Sequence, residues 1–170
     1  MTMNILTISG SAQRASSNDE LLKSFAILFK HHHFTHIGEL MDFPLFTPEG
    51  DKHPPEIVLS FREKIRNADL VIISLPEYIH NITAVLKNAL EWITSSGELY
   101  DKKVIAITYT PQAPRGEKAM QSLLFSLQAL SAKVIAELPL YKSELVVTKN
   151  GTLIGDTSVE AIKAVFDFIG

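Results

Sequence analysis

Residues 69–75 read Asp-Leu-Val-Ile-Ile-Ser-Leu. The apolar residues follow one another without the in–out alternation of a sheet that faces water. A strand reads this way when helices cover both of its faces. Residues 3–8 (MNILTI) and 103–110 (KVIAITYT) share the pattern, residues 133–140 (KVIAELPL) share it more weakly, and residues 34–40 supply a fifth candidate strand.

Helical periodicity fills the intervals. Asn18 and Asp19 can cap a helix running to about Lys30, and Pro54-Pro55 opens another over 54–68, where proline suits the first turn. Residues 83–94 place Val85, Leu86, Ala89, Leu90 and Ile93 on one side, and residues 116–130 and 158–169 complete the set. Strictly alternating strands and helices imply parallel pairing with right-handed crossovers. Five strands give the flavodoxin-like expectation: a three-layer α/β/α sandwich with strand order 2-1-3-4-5. Residues 42–53 and 141–156 are left as loops, the second with an Asn150-Gly151 hairpin signal.

The chain has 170 residues, is 46% hydrophobic and 21% charged, carries a formal charge of −3 and has no cysteine. This length implies one domain, residues 1–170. The mild acidity offers no general attraction to nucleic acid or an anionic membrane. The absence of cysteine removes thiolate metal sites and thiol nucleophiles. No signal-peptide pattern opens the sequence and no apolar run approaches a membrane span, so a cytoplasmic location is expected.

Ligands of such a sheet bind beyond the carboxyl ends of its strands. The loops to inspect are therefore 9–18 (SGSAQRASSN), 76–83 (PEYIHNIT) and 110–118 (TPQAPRGEK). In the first, Gly10 permits a tight turn, Ser11, Ser16 and Ser17 offer hydroxyls, Asn18 stands at the helix start and Arg14 adds charge. That set suits a phosphate. It equally suits a polar turn before a well-capped helix. There is no Walker sequence, no G-x-G-x-x-G and no G-x-S-x-G elbow. The acidic residues of a receiver domain are also missing at the strand ends. A mononucleotide held by its phosphate survives these eliminations.

Residues 75–92, LPEYIHNITAVLKNALEW, closely resemble the signature of NAD(P)H-dependent FMN reductases. That family reads P-E-Y-N, a short spacer, then P-x-x-L-K-N-A-[LI]-[DE]-W, and its first loop reads G-S-x-R-x-x-S-x-N. The resemblance implies non-covalent FMN, with NADPH or NADH as co-substrate. It implies hydride transfer through flavin N5 to a small-molecule acceptor: a quinone, azo compound, metal oxyanion or free flavin. It maps phosphate contacts to Gly10, Ser11, Arg14, Ser16, Ser17 and Asn18. Ring contacts map to Pro76, Glu77, Tyr78 and Ile79, and the far edge of the ring to Thr110, Arg115 and Gly116. It also implies a homodimer or homotetramer. The chain departs from the pattern in four ways: Arg14 lies four residues after Gly10 rather than three, Ile79 stands for asparagine, Thr83 for proline, and prolines with Arg115 replace third-loop glycines.

No acid–base pair or nucleophilic triad is evident, which fits chemistry carried by a cofactor, so no catalytic side chain is expected. The alternative is a non-enzymatic flavin- or partner-binding protein that retains the fold. An electron carrier fits less well, because flavodoxin phosphate loops are Thr-rich and lack this arginine. Several residues keep two readings. Arg14 or Arg115 meets a nucleotide 2′-phosphate or is a solvated cation. Tyr78 touches ligand or covers its loop. The 42–53 loop, with Phe43 and Phe46, walls a pocket or packs on the surface. Trp92 is core or subunit interface. The histidines at 31–33 and 36 suit a helix end better than a metal, and Lys87 with Glu91 reads as an ordinary helix pair.

Overall fold

The computed structural model describes residues 2–169. Five parallel strands form one sheet: β1 (Asn4–Ser9), β2 (His33–Ile37), β3 (Leu70–Leu75), β4 (Lys103–Thr110) and β5 (Lys133–Tyr141). Their spatial order is β2-β1-β3-β4-β5. This is the expected 2-1-3-4-5 arrangement, and it follows from the continuous apolar runs. In β3 every residue is buried, and in β1 and β4 all but the first.

Alternate side chains of these strands feed two separate cores. Leu6, Ile8, Val71, Ile73, Val104 and Ala106 face α2 (Glu56–Asn67), α3 (Ala84–Glu91) and α4 (Glu117–Ala129). Ile5, Leu70, Ile72, Ile105 and Ile107 face α1 (Ser17–Leu28) and α5 (Asp156–Ile169). A short antiparallel hairpin, β6 (Val146–Val147) with β7 (Leu153–Ile154), carries Asn150-Gly151 in its turn.

Several boundaries differ from the sequence reading, each for a local reason. The cap of α1 is Ser16 rather than Asn18 or Asp19. The Ser16 hydroxyl accepts from the Asp19 N–H at 3.2 Å, and the Asp19 carboxylate accepts from the Ser16 N–H at 2.8 Å, a reciprocal capping box. Strand β2 stops at Ile37, and Gly38 after it lies against the Asp19 carboxylate, where no Cβ fits. Helix α5 begins at Asp156, two residues early, directly after Gly155 at φ 141°.

The 42–53 loop packs on the surface through two single 3-10 turns, Leu40–Asp42 and Gly50–Lys52. Phe43 meets Phe61 edge-on at 5.2 Å and Phe46 meets Trp92 edge-on at 5.3 Å. Trp92 is core, 2% exposed. His32 is consumed inside the fold, its Nδ1 accepting from the Met3 N–H at 3.2 Å. Lys87 and Glu91 form the expected i,i+4 pair at 2.6 Å.

Candidate functional site

The carboxyl ends of β1, β3 and β4 release their loops on the same edge of the sheet. Strand order reverses between β1 and β3, which opens a crevice there. The three loops enclose a cleft of about 510 Å³, within the ordinary range of small-ligand sites. Of the expected site residues, Ser11, Ser16, Ser17, Asn18, Pro76, Glu77, Tyr78, Ile79, Thr110 and Arg115 line it. Gly10, Arg14 and Gly116 do not.

Gly10 supports the cleft from behind. Its N–H donates to the Ser74 carbonyl at 2.7 Å, and a Cβ there would come within 2.8 Å of Leu75 Cβ and 2.9 Å of Leu86 Cδ2. The residue is glycine because the loop passes close over β3 and α3. Thr83 holds the same turn from the other side. Its hydroxyl donates to the Gly10 carbonyl at 2.5 Å and accepts from the Leu86 N–H at 3.2 Å. The threonine that stands for proline therefore caps α3 and ties the first loop to the second.

Two polar side chains of the first loop are spent on structure. The Ser16 hydroxyl belongs to the capping box. Asn18 is 2% exposed, with its amide donating to the Tyr109 carbonyl at 3.4 Å and its oxygen accepting from the Ser74 hydroxyl at 2.7 Å. It clamps the start of α1 to β3 and β4. What the loop presents to the cleft is the hydroxyl of Ser17 and the first amides of α1, which lack intrahelical acceptors. Arg14 turns away. It pairs with Glu39 at 2.5 Å and Asp42 at 2.8 Å, bordering a separate depression with His36 and Phe43. Those carboxylates raise its pKa, Asp42 foremost. An exposed guanidinium four residues after Gly10 finds acidic partners on the loop after β2 before it can reach the cleft.

The second loop is a two-residue hairpin. The Tyr78 N–H donates to the Asn81 carbonyl at 3.2 Å, and the Asn81 N–H returns a bond to Tyr78 at 3.0 Å. Ile79 and His80 between them have φ of 53° and 55°, as a type I′ turn requires. For a β-branched residue this costs about 1–2 kcal/mol. Ile79 is nevertheless 98% exposed. Glu77 anchors the turn: its Oε2 accepts from the N–H groups of Gly116 at 3.1 Å and of Lys118 and Ala119 at 3.0 Å. Burial pushes this carboxyl up, but the amides at the start of α4, with His80, outweigh it and hold it below its ordinary value. Glu77 is thus a tether to α4.

In the third loop the Thr110 hydroxyl donates to the Arg115 carbonyl at 2.7 Å. Gly116, at φ 104°, precedes α4 where a Cβ would strike Thr108 Oγ1 at 2.8 Å. Sequence reasoning missed Gln13, His80, Tyr109, Pro111 and Lys142 in the lining. Lys142 follows β5 directly, so the strand-end rule applied to the fourth apolar run would have found it. Its Nζ lies 5.9 Å from the centroid of the Tyr109 ring, whose hydroxyl donates to the Leu145 carbonyl at 2.7 Å. Among the described residues neither Arg115 nor Lys142 has a carboxylate partner.

Residues 3–143 match the family described as NADPH-dependent FMN reductase. The chain belongs to that family. It is an NAD(P)H-dependent flavin oxidoreductase that uses FMN, and the match favours this reading over a non-enzymatic binding protein. Over 96% of its length it is 35% identical to an NADH:(hydroxy)cinnamate reductase subunit of Vibrio ruber, covering 84% of that protein. Over 98% of its length it is 26% identical to a 2-hydroxy-1,4-benzoquinone reductase of a Burkholderia species, covering 94% of it. Its fold superposes on FerB, a flavoenzyme NAD(P)H:(acceptor) oxidoreductase of Paracoccus denitrificans, with a TM-score of 0.83 at 19% identity, over 99% of this chain and 96% of that one.

The residues present suit FMN. Helix-start amides and a hydroxyl suit a phosphate, the cleft of about 510 Å³ gives it room, and the Tyr78–Asn81 hairpin stands beside that space.

Proposed function

We propose that the cleft at the ends of β1, β3 and β4 holds FMN, and that the chain reduces small-molecule acceptors of the quinone, azo or free-flavin class at the expense of NADH or NADPH. The observation that carries this is the convergence of three loops on one cleft beside the start of α1. The Ser17 and Asn18 amides and the Ser17 hydroxyl would hold the phosphate, with buried Ser11, whose hydroxyl accepts from the Gln13 N–H at 3.1 Å, shaping the loop beneath it. Pro76 to Ile79 would hold the isoalloxazine, with Thr110 and Arg115 lining the far side of the cleft. When bound, FMN supplies the hydride chemistry between nicotinamide and acceptor.

The chain's own part is placement and charge. Glu77 fixes the hairpin by holding α4, and Asn18 fixes the helix start by holding β3 and β4. Arg115 and Lys142 give the cleft a positive rim that favours an electron-rich ring and an anionic nucleotide. The 1–170 chain works as one FMN-binding domain, assembled as a homodimer or homotetramer in the cytoplasm. Among the described residues no helix is long and apolar enough to cross a membrane.

An FMN titration followed by anaerobic NADPH, then NADH, tests this. Saturable binding and bleaching of the visible flavin band are expected. A protein that leaves FMN free, or bound FMN that neither nucleotide reduces, contradicts the proposal.

A further inference from the structure

Of the large apolar side chains that reach solvent, the most exposed is also awkwardly placed. Ile79 is 98% exposed, apolar and β-branched, on a backbone with φ of 53°. Water around the side chain and strain in the backbone both disfavour it. Glycine or asparagine would relieve both. Other exposed apolar side chains, such as Leu45 and Phe168, have ordinary negative φ and need no such account.

The turn cannot retract to hide Ile79. Two backbone bonds close the hairpin between Tyr78 and Asn81. Glu77, just before it, is fastened to the amide of Gly116 and two amides in the first turn of α4. Ser122 on α4 donates to Asn81 at 2.6 Å, just after it. The hairpin is thus pinned at both ends to one helix, and Ile79 is held at the mouth of the cleft, with half-exposed Tyr78 beside it. A strained, pinned, apolar tip with no packing partner among the described residues points to a partner outside the chain.

We infer that Ile79 is a specificity-determining residue: its side chain covers one face of the electron acceptor and selects planar aromatic acceptors over small ionic ones. This rests on the reductase reading above. It concerns the side chain, whereas the flavin contacts proposed for this loop are those of its backbone.

The test compares wild type, Ile79→Asn and Ile79→Leu with saturating FMN, using menadione as the planar apolar acceptor and ferricyanide as the small ionic one. The kcat/KM ratio of menadione to ferricyanide is expected to fall about tenfold in Ile79→Asn, the usual worth of a few apolar contacts in discrimination. Ile79→Leu restores most of it. The Asn variant is expected to melt no lower than wild type. An unchanged ratio in an active enzyme overturns the inference. So does a lowered melting temperature, which places Ile79 in the packing of the fold. A change in oligomeric state without a change in the ratio also overturns it, because Ile79 then packs on a second copy. Wild type that oxidises NAD(P)H with neither acceptor overturns the reductase reading itself, a result distinct from an unchanged ratio.

Discussion

Residues 76–81 and 83–92 adjoin each other and together make up the family signature, yet they do opposite work. The first stretch is exposed, conformationally costly and aimed at the cleft, with Ile79 and His80 at positive φ. The second is buried and at ease. Thr83 caps α3, the Asn88 amide and the Trp92 indole N–H both donate to the Pro44 carbonyl at 2.9 and 2.8 Å, and the Asn88 oxygen accepts from the Phe46 N–H at 2.8 Å. The LKNALEW block, the most specific part of the resemblance, touches no cleft residue's function directly. It clamps the 42–53 loop to α3, while the neighbouring hairpin, pinned to α4, lines the cleft. A strong signature can report how a site is supported rather than what the site contacts.

If that division is right, the largest loss of stability comes from the buried stretch. Trp92→Ala removes a fully buried indole and its bond to Pro44, and is expected to cost about 3–5 kcal/mol, read from denaturant melts. A cost near zero would mean that the block is not the clamp described here. Glu77→Gln comes next. It weakens the acceptor of three amides at the start of α4 and is expected to cost about 1–3 kcal/mol. Because it loosens the hairpin as well, FMN affinity should fall with stability. Lost stability with unchanged affinity would separate the tether from the site.

The pH response is smaller and has a defined sign. Burial, joined by the charge of neighbouring histidines, pushes His32 below the ordinary value of 6.5. Burial does the same to His36, with the Asp19 contact opposing but not reversing it. The unfolded chain takes up these protons first. This contribution is therefore full above 6.5 and is lost as pH falls from 6.5 toward the lower folded values. Glu77, held below 4.5, adds stability that is present above 4.5 and lost as pH falls through its folded value. Melting temperatures measured down this range should fall in two stages, with His36→Asn flattening the first. A flat profile between neutrality and 4.5 would contradict the downward shifts at His32 and His36.

The smallest effect is expected at Arg14. Its partners are exposed carboxylates outside the cleft, and such pairs contribute little. Arg14→Ala should leave FMN affinity unchanged by titration. A clear weakening would bring the arginine back to the phosphate.

The layers, strand order and cleft loops were legible because they depend on where apolar runs begin and end. The directions of polar side chains were not. Ser16, Asn18 and Glu77 sit in the right loops, but their hydrogen bonds go to Asp19, Tyr109, Ser74 and the amides of α4. Those partners are up to 91 residues away. Nothing in a local pattern distinguishes a hydroxyl that meets a ligand from one that meets a backbone amide across the sheet. Lys142 escapes the pattern for a related reason: β5 is the weakest apolar run, so its end does not stand out in the sequence.

If the start of α1 receives the phosphate of FMN, Ser17→Asp exposes it. A carboxylate at the first helical position favours the helix, so the fold should hold, with melting no lower than wild type. It would also place a negative charge against the phosphate, and FMN affinity measured by fluorescence titration is predicted to fall about a hundredfold. A folded Ser17→Asp protein that binds FMN as tightly as wild type would contradict the account.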